Sequence, residues 1–214
     1  MIKSIPFLPS HNKYNLTVCH EKKFIWFRVA KVGTRTIYDV LKNSDIYLDA
    51  EHPFNCYYPK SLYKDYFKFA FIRNPYDRLV SCWKNKVLKN NYFGFSDKIL
   101  MEMQNFAQFV DFVANQDIEK CDPHIRLQSK LIDLNEIDYL GKFENFEIDL
   151  SHIIKVLKIN NQSINRMNST KNRKHYSEYY NEKLRMKVGN IYEKDLIIFS
   201  YDFENIKSNT DNKT

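Results

Sequence analysis

Two short stretches of the chain gather cations, hydroxyls and a turn former in a way that suits an anionic ligand. The first is Lys31-Val32-Gly33-Thr34-Arg35-Thr36. A glycine in a tight turn lets backbone N–H groups approach an anion closely. A helix N-terminus just beyond it adds unpaired N–H donors and the positive end of a dipole. Thr34 and Thr36 bring hydroxyls, and Lys31 and Arg35 bring charge. The chain has only four glycines, far below the usual ~7% of residues, so one inside this turn stands out. The second stretch is Arg73-Asn74-Pro75, with Ser81 eight residues after Arg73. An Arg fork at a strand end can grip a phosphate in bidentate fashion. Each stretch also has a plainer reading. The first fits an ordinary strand-to-helix turn with surface cations. The second fits an Arg bonded to nearby carbonyls and a surface Ser.

The elements that would position these residues follow from hydrophobic periodicity. Phe24–Ala30 is a short apolar, aromatic and β-branched run, the pattern of a buried strand. From Thr36, the positions Ile37, Val40 and Leu41 follow helical spacing. Tyr66–Ile72 reads as a second buried strand. Asn74 suits a helix N-cap and Pro75 the first helical position. Tyr76, Leu79, Val80, Trp83 and Val87 then form one stripe at a 3.6-residue period, with Ser81 off it. Arg78 on this helix reads as an ion-pair partner. A third strand at about Ile137–Phe143 precedes a helix with the stripe Phe146, Leu150, Ile153, Ile154 and Leu157. Further helices are expected around Phe106, Phe109, Val110 and Val113, and over Glu182–Tyr192. Strands alternating with helices imply an α/β fold with a central parallel sheet covered on both faces. Ligands of such sheets bind beyond the carboxyl ends of the strands, where both polar loops fall. Two anion sites at adjacent strand ends suit a ligand with two separated anionic groups.

Composition sets the outer limits. The 214 residues, 43% of them apolar, are enough for one domain with a full core. That domain is expected over residues 1–204, with a frayed polar tail over 205–214. The net charge of +7 favours an anionic partner without choosing one. The four cysteines, Cys19, Cys56, Cys82 and Cys121, form no CxxC pair and no zinc spacing, so they read as reduced thiols. The N-terminus has no apolar leader, and no stretch approaches a membrane span. The sequence therefore reads as soluble and cytoplasmic, with no integral membrane segment.

Taken together, AKVGTRTI and FAFIRNPYDRLVSCW resemble the donor-binding motifs of the sulfotransferases that use 3′-phosphoadenosine 5′-phosphosulfate (PAPS). The nearest resemblance is to the Golgi carbohydrate, or polysaccharide, sulfotransferases. HIRLQSKLID with DYLGKFENFEIDL is similar to their central segment, and YYNEKLRMKVGNIYEKDLIIFSYDF to their C-terminal helix. The resemblance covers roughly residues 24–203. It implies a P-loop NTPase-like three-layer sandwich, PAPS as donor and no metal. Under it, Lys31 contacts the phosphosulfate bridge, and Gly33, Thr34, Arg35 and Thr36 hold the 5′-phosphosulfate. Arg73 and Ser81 hold the 3′-phosphate. The base that takes the acceptor's proton is expected to be His52, placed where heparan-type relatives carry a catalytic His. His124 is the second candidate and Glu51 a third. Arg173, in a basic segment with Arg166, Lys171 and Lys174, is a candidate further phosphate contact.

The expected activity is sulfuryl transfer by in-line displacement to a hydroxyl of a glycan or glycolipid. A P-loop-like small-molecule kinase is the competing enzyme reading, but Lys31 precedes Gly33 and the GK[ST] order is missing. A nucleic-acid-binding module fits the charge, but the aromatics sit mainly on core stripes.

Overall fold

The protein is described here from a computed structural model covering residues 9–160 and 174–204. Arg166, Lys171, Arg173 and the tail over 205–214 lie outside the described residues. The described residues cluster into two compact units, each built from two chain segments. One holds residues 9–73 and 122–160, the other 74–121 and 174–204.

The first unit contains a four-stranded sheet in the order β1-β2-β3-β4. The strands are β1 (Leu16–Cys19), β2 (Phe24–Phe27), β3 (Phe67–Ile72) and β4 (Tyr139–Lys142). β2, β3 and β4 run parallel, and β1 pairs antiparallel with β2. The three strands expected from sequence thus form the central parallel sheet, and β1, which was not expected, adds an antiparallel edge that makes the sheet mixed. A four-residue strand joined by a tight turn to β2 leaves no room for the crossover that a parallel pair requires. β2 also ends at Phe27 instead of reaching Ala30. Beyond it, Lys31 takes a left-handed conformation (φ 72°) that no strand can continue.

Alternation along the strands sorts the sheet into two faces. Trp26 and Phe69 are stacked on one of them, and Phe24 and Phe67 pack against the same Phe69 ring. Phe71 continues this aromatic face and meets Phe146, the first residue of helix α5 (Phe146–Val156). Its register partner is Gly141. A Cβ at Gly141 would lie 2.7 Å from the Phe71 ring, so only glycine lets the ring lie there. α5 is tied back to β4 by Asp149, which accepts from the Lys142 backbone N–H (2.6 Å) and the Tyr139 hydroxyl (3.0 Å). Helix α1 (Thr34–Lys42) follows β2 and buries Ile37, Val40 and Leu41.

The second unit is helical among the described residues. Helix α2 (Pro75–Trp83) begins as the sequence implies: the Asn74 side chain accepts from the Tyr76 N–H, and Pro75 occupies the first turn. Its stripe Tyr76, Leu79, Val80 and Trp83 is buried, and so is Val87 in the wider π-helical turn that continues it. Arg78 is buried with them. Helix α3 (Asp97–Met103), which the periodicity did not reveal, precedes α4 (Phe106–Ala114), whose four expected core positions are all buried. Helices α6 (Glu182–Ile191) and α7 (Glu193–Ile198) complete the unit.

Gly141→Ala is expected to destabilise the protein by about 1–3 kcal/mol through overpacking against Phe71. Chemical denaturation of the variant beside wild type checks this.

Candidate functional site

The residues after β2, β3 and β4 meet at one end of the sheet. The β2–α1 loop carries two left-handed residues, Lys31 (φ 72°) and Gly33 (φ 82°). Gly33 is the N-cap of α1, and its carbonyl accepts the first helical bond from Ile37 (3.1 Å). The N–H groups of Thr34, Arg35 and Thr36 therefore precede the helical ladder and stand as donors at the loop. A Cβ at Gly33 would come within 2.6 Å of the Phe146 ring, so the start of α5 supports the turn from behind. The Thr34 hydroxyl donates to the Val29 carbonyl (2.6 Å) and closes the loop across its base. That leaves the Thr34 backbone N–H, and not its hydroxyl proton, to face an anion. Lys31, Gly33 and Thr36 are half-buried and Arg35 is exposed.

Arg73, directly after β3, is the centre of this end. It is 2% exposed. Its guanidinium donates to the Lys31 carbonyl (3.0 Å) and lies 4.0 Å from the centroid of the Phe143 ring, just past β4. Its backbone is held on both sides by one side chain. The Gln128 amide accepts from the Arg73 N–H (3.0 Å) and donates to the Arg73 carbonyl (2.9 Å). Gln128 is fully buried. The plainer of the two sequence readings of Arg73 is seen directly: it bonds a nearby carbonyl, and that carbonyl belongs to Lys31. Ser81 lies in the second unit, half-buried on α2 and off the helix's buried stripe.

The two histidines differ in their surroundings. His52 is exposed, and its Nδ1 lies 2.5 Å from an N–H of Arg28. Arg28 is itself buried and donates also to the carbonyls of Leu16 (3.0 Å) and Pro53 (3.0 Å). A guanidinium can only donate, so Nδ1 must accept and the proton of the neutral ring sits on Nε2. Desolvation, followed by the Arg28 charge, lowers the His52 pKa. His124 has the opposite arrangement. Its Nδ1 and its backbone N–H both meet Asp122 Oδ1 at 2.8 Å. With Nδ1 donating to a carboxylate, the lone pair of the neutral ring is on Nε2. His124 sits in a turn closed by the bonds from Ile125 and Arg126 to the Asp122 carbonyl, four residues before Gln128. Glu51 accepts from the Tyr38 hydroxyl and pairs with Lys42 (3.2 Å). These hydrogen bonds hold its carboxyl below the usual range, which makes it a weak proton acceptor.

Asp122, Gln128 and Phe143 were not singled out from sequence. The HIRLQSKLID segment pointed to the neighbourhood of Gln128, but nothing in its local pattern marked which side chain would turn inward.

Residues 14–202 match the model of the sulfotransferase family. The chain belongs to that family. Its fold class is accordingly the P-loop-like α/β one. The chain is 25% identical to carbohydrate sulfotransferase 14 of Danio rerio over 174 residues, 66% of this chain and 47% of that protein. It is 26% identical to carbohydrate sulfotransferase 12 of Mus musculus over 170 residues, 64% of this chain and 41% of that one. It is 22% identical to carbohydrate sulfotransferase 14 of Homo sapiens over 171 residues, 67% of this chain and 44% of the relative. The chain thus spans less than half the length of the curated relatives it matches. No solved structure gives a significant match.

These relatives correct the cytoplasmic assignment. They are Golgi carbohydrate sulfotransferases, and the cytoplasmic reading rested on what the sequence lacks, an apolar leader and a membrane span. In a chain that spans less than half of its relatives, such an absence assigns no compartment. No described helix is long and apolar enough to cross a membrane.

Two expectations follow from the geometry. Gln128→Leu strips both Arg73 backbone groups of this partner, and a melt should show a loss of about 1–3 kcal/mol. The second concerns pH. The folded-state pKa of His52 lies below its ordinary value of 6.5. The unfolded chain therefore takes up this proton first as pH falls, and stability should drop as pH goes below about 6.5. Melting curves at pH 7.5 and pH 5 should differ less for His52→Gln than for wild type.

Proposed function

We propose that the protein transfers a sulfuryl group from PAPS to a hydroxyl of a carbohydrate acceptor. The single observation that carries this reading is the convergence at one strand end of a doubly left-handed loop, the start of α1 and the buried Arg73 bonded to Lys31. The chain's residues fit such a donor. The N–H groups of Thr34, Arg35 and Thr36, ahead of the helical ladder, are donors of the kind that receive phosphate-like oxygens, and Gly33 is assigned with them through the family resemblance. Lys31 supplies the positive charge that the leaving oxygen needs. Arg73 and Ser81 are assigned to the 3′-phosphate through the family resemblance. Arg73 also holds the Lys31 carbonyl, so it serves the 5′ end as well. The names of the relatives, carbohydrate sulfotransferases 12 and 14, support a glycan acceptor.

Such a transfer needs positioning and charge stabilisation more than covalent help. The acceptor oxygen forms its bond to sulfur as the bond from sulfur to the bridging oxygen breaks. Lys31 stabilises the departing oxygen, and a base takes the acceptor's proton. Of the two histidines, His124 has the arrangement of a base. Asp122 fixes its tautomer so that Nε2 can accept. His52, with Nδ1 taken by Arg28, presents a donor instead.

Calorimetry with 3′-phosphoadenosine 5′-phosphate tests the donor half. Wild type should bind, and Lys31→Ala should weaken binding at least tenfold. No binding by wild type would sink the reading. His124→Ala is expected to keep nucleotide binding and to lose at least a hundredfold in transfer of labelled sulfate. That loss lies within the range for a general base. Full activity in that variant would remove His124 from the mechanism.

A further inference from the structure

The best-defined feature outside the donor loop is a row of rings on the first unit. Tyr38, His52 and Phe54 follow one another, with centroids 4.5 Å apart between the first two and 6.3 Å between the last two. The His52 and Phe54 planes are within 7° of parallel. Phe54 is 66% exposed, and His52 beside it is exposed too. A large aromatic ring left this open adds little to the core, although a lone exposed ring would need no explanation. This ring is not alone. Arg28 fixes it from one side, with its guanidinium 4.8 Å from the Phe54 centroid while it bonds His52 Nδ1 and the carbonyl of Pro53. The row is therefore rigid as well as open.

Its place in the fold is as informative as its chemistry. Arg28 lies three residues before Lys31, a span of at most about 11 Å along the chain. Tyr38 lies one turn into α1, whose first residue, Thr34, is part of the donor loop. The row is thus anchored on both sides of the loop by a few residues of backbone. Among the described residues no protein group meets His52 Nε2, which carries the proton of the neutral ring and points away from Arg28.

We propose that the His52 and Phe54 rings form the acceptor subsite. On this platform a sugar ring of the glycan lays its C–H face, and His52 Nε2–H donates to one of its oxygens. The proposal rests on the carbohydrate sulfotransferase reading and adds to it the side chains that seat the acceptor. Flat aromatic rings beside a few fixed polar groups are the usual lining of a site that orients a small organic ligand. A pyranose has the required two characters, an apolar face of axial C–H groups and an equatorial rim of oxygens. His52 is then a binding residue whose tautomer Arg28 sets, and the proton leaves through another group.

The experiment uses the full chain, labelled PAPS and a panel of unsulfated polysaccharides (hyaluronan, chemically desulfated chondroitin and dextran), with the best acceptor carried forward. Phe54→Ala should raise the acceptor KM at least tenfold. Phe54→Trp should restore it, because a larger ring offers the same face. Affinity for 3′-phosphoadenosine 5′-phosphate should not change in either variant, and neither should the melting temperature by more than a degree or two. Unchanged acceptor KM in Phe54→Ala, with transfer by wild type intact, overturns the platform and leaves the sulfotransferase reading standing. A fall in kcat with no change in KM overturns it as well. Absence of transfer by wild type to every member of the panel overturns both.

Discussion

The bond from the Arg73 guanidinium to the Lys31 carbonyl is the interaction on which the rest of the site depends. It joins the end of β3 to the loop after β2, and it does so where the loop takes a conformation that disfavours any residue with a side chain. A left-handed non-glycine residue costs about 1–2 kcal/mol, and it persists only where its surroundings fix it. Here the surroundings are explicit. Arg73 holds the carbonyl, Gln128 holds the Arg73 backbone, and the Phe143 ring covers the guanidinium. A cation buried to this extent is normally a liability. Its hydrogen bond and its ring partner offset that cost and make it a fixed point for the β2–α1 loop.

The same end of the sheet shows how strict packing serves a polar site. Gly33 and Gly141 are both glycines against a phenylalanine ring, Phe146 in one case and Phe71 in the other. Phe71 and Phe146 also touch each other. One aromatic contact thus runs from the core of the sheet to the back of the β2–α1 turn. Asp149 secures the far side by clamping α5 to β4. The polar loop is stiff because the apolar layer behind it has no slack.

Much of this was legible in the sequence where the information is local. Asn74 and Pro75 announce the start of α2, and Tyr76, Leu79, Val80 and Trp83 announce its buried side; all depend on neighbours within one or two turns. The β2–α1 turn was legible for a similar reason, since a rare glycine between a strand and a helix restricts what the turn can be. What stayed hidden was set by distant partners. Gln128 and Arg73 are 55 residues apart, and Arg28 and His52 are 24 apart. No periodicity marks such pairs. The roles of the two histidines were therefore open from sequence, since a tautomer is decided by the group facing each ring nitrogen. β1 was missed because its four residues stand between polar Asn15 and His20, whereas β2 could be read from the longer apolar run Phe24–Ala30. The misplaced compartment has a different origin. It came from reading an absence, of an apolar leader and of a membrane span, in a chain that matches less than half of each relative.

The interrupted chain path of the first unit has a consequence for how the protein must come into being. Its sheet needs residues on both sides of the 74–121 segment. β4 cannot pair with β3, and Gln128 cannot clamp Arg73, until that intervening segment has been made. Contacts so far apart in sequence carry a loop-closure cost and form slowly. During synthesis, β1, β2, α1 and β3 emerge with one edge of β3 unpaired, and such an edge invites pairing with other chains. The Gln128 clamp behind the β2–α1 loop is therefore completed only after residues 122–142 have been made, well after the loop's own residues.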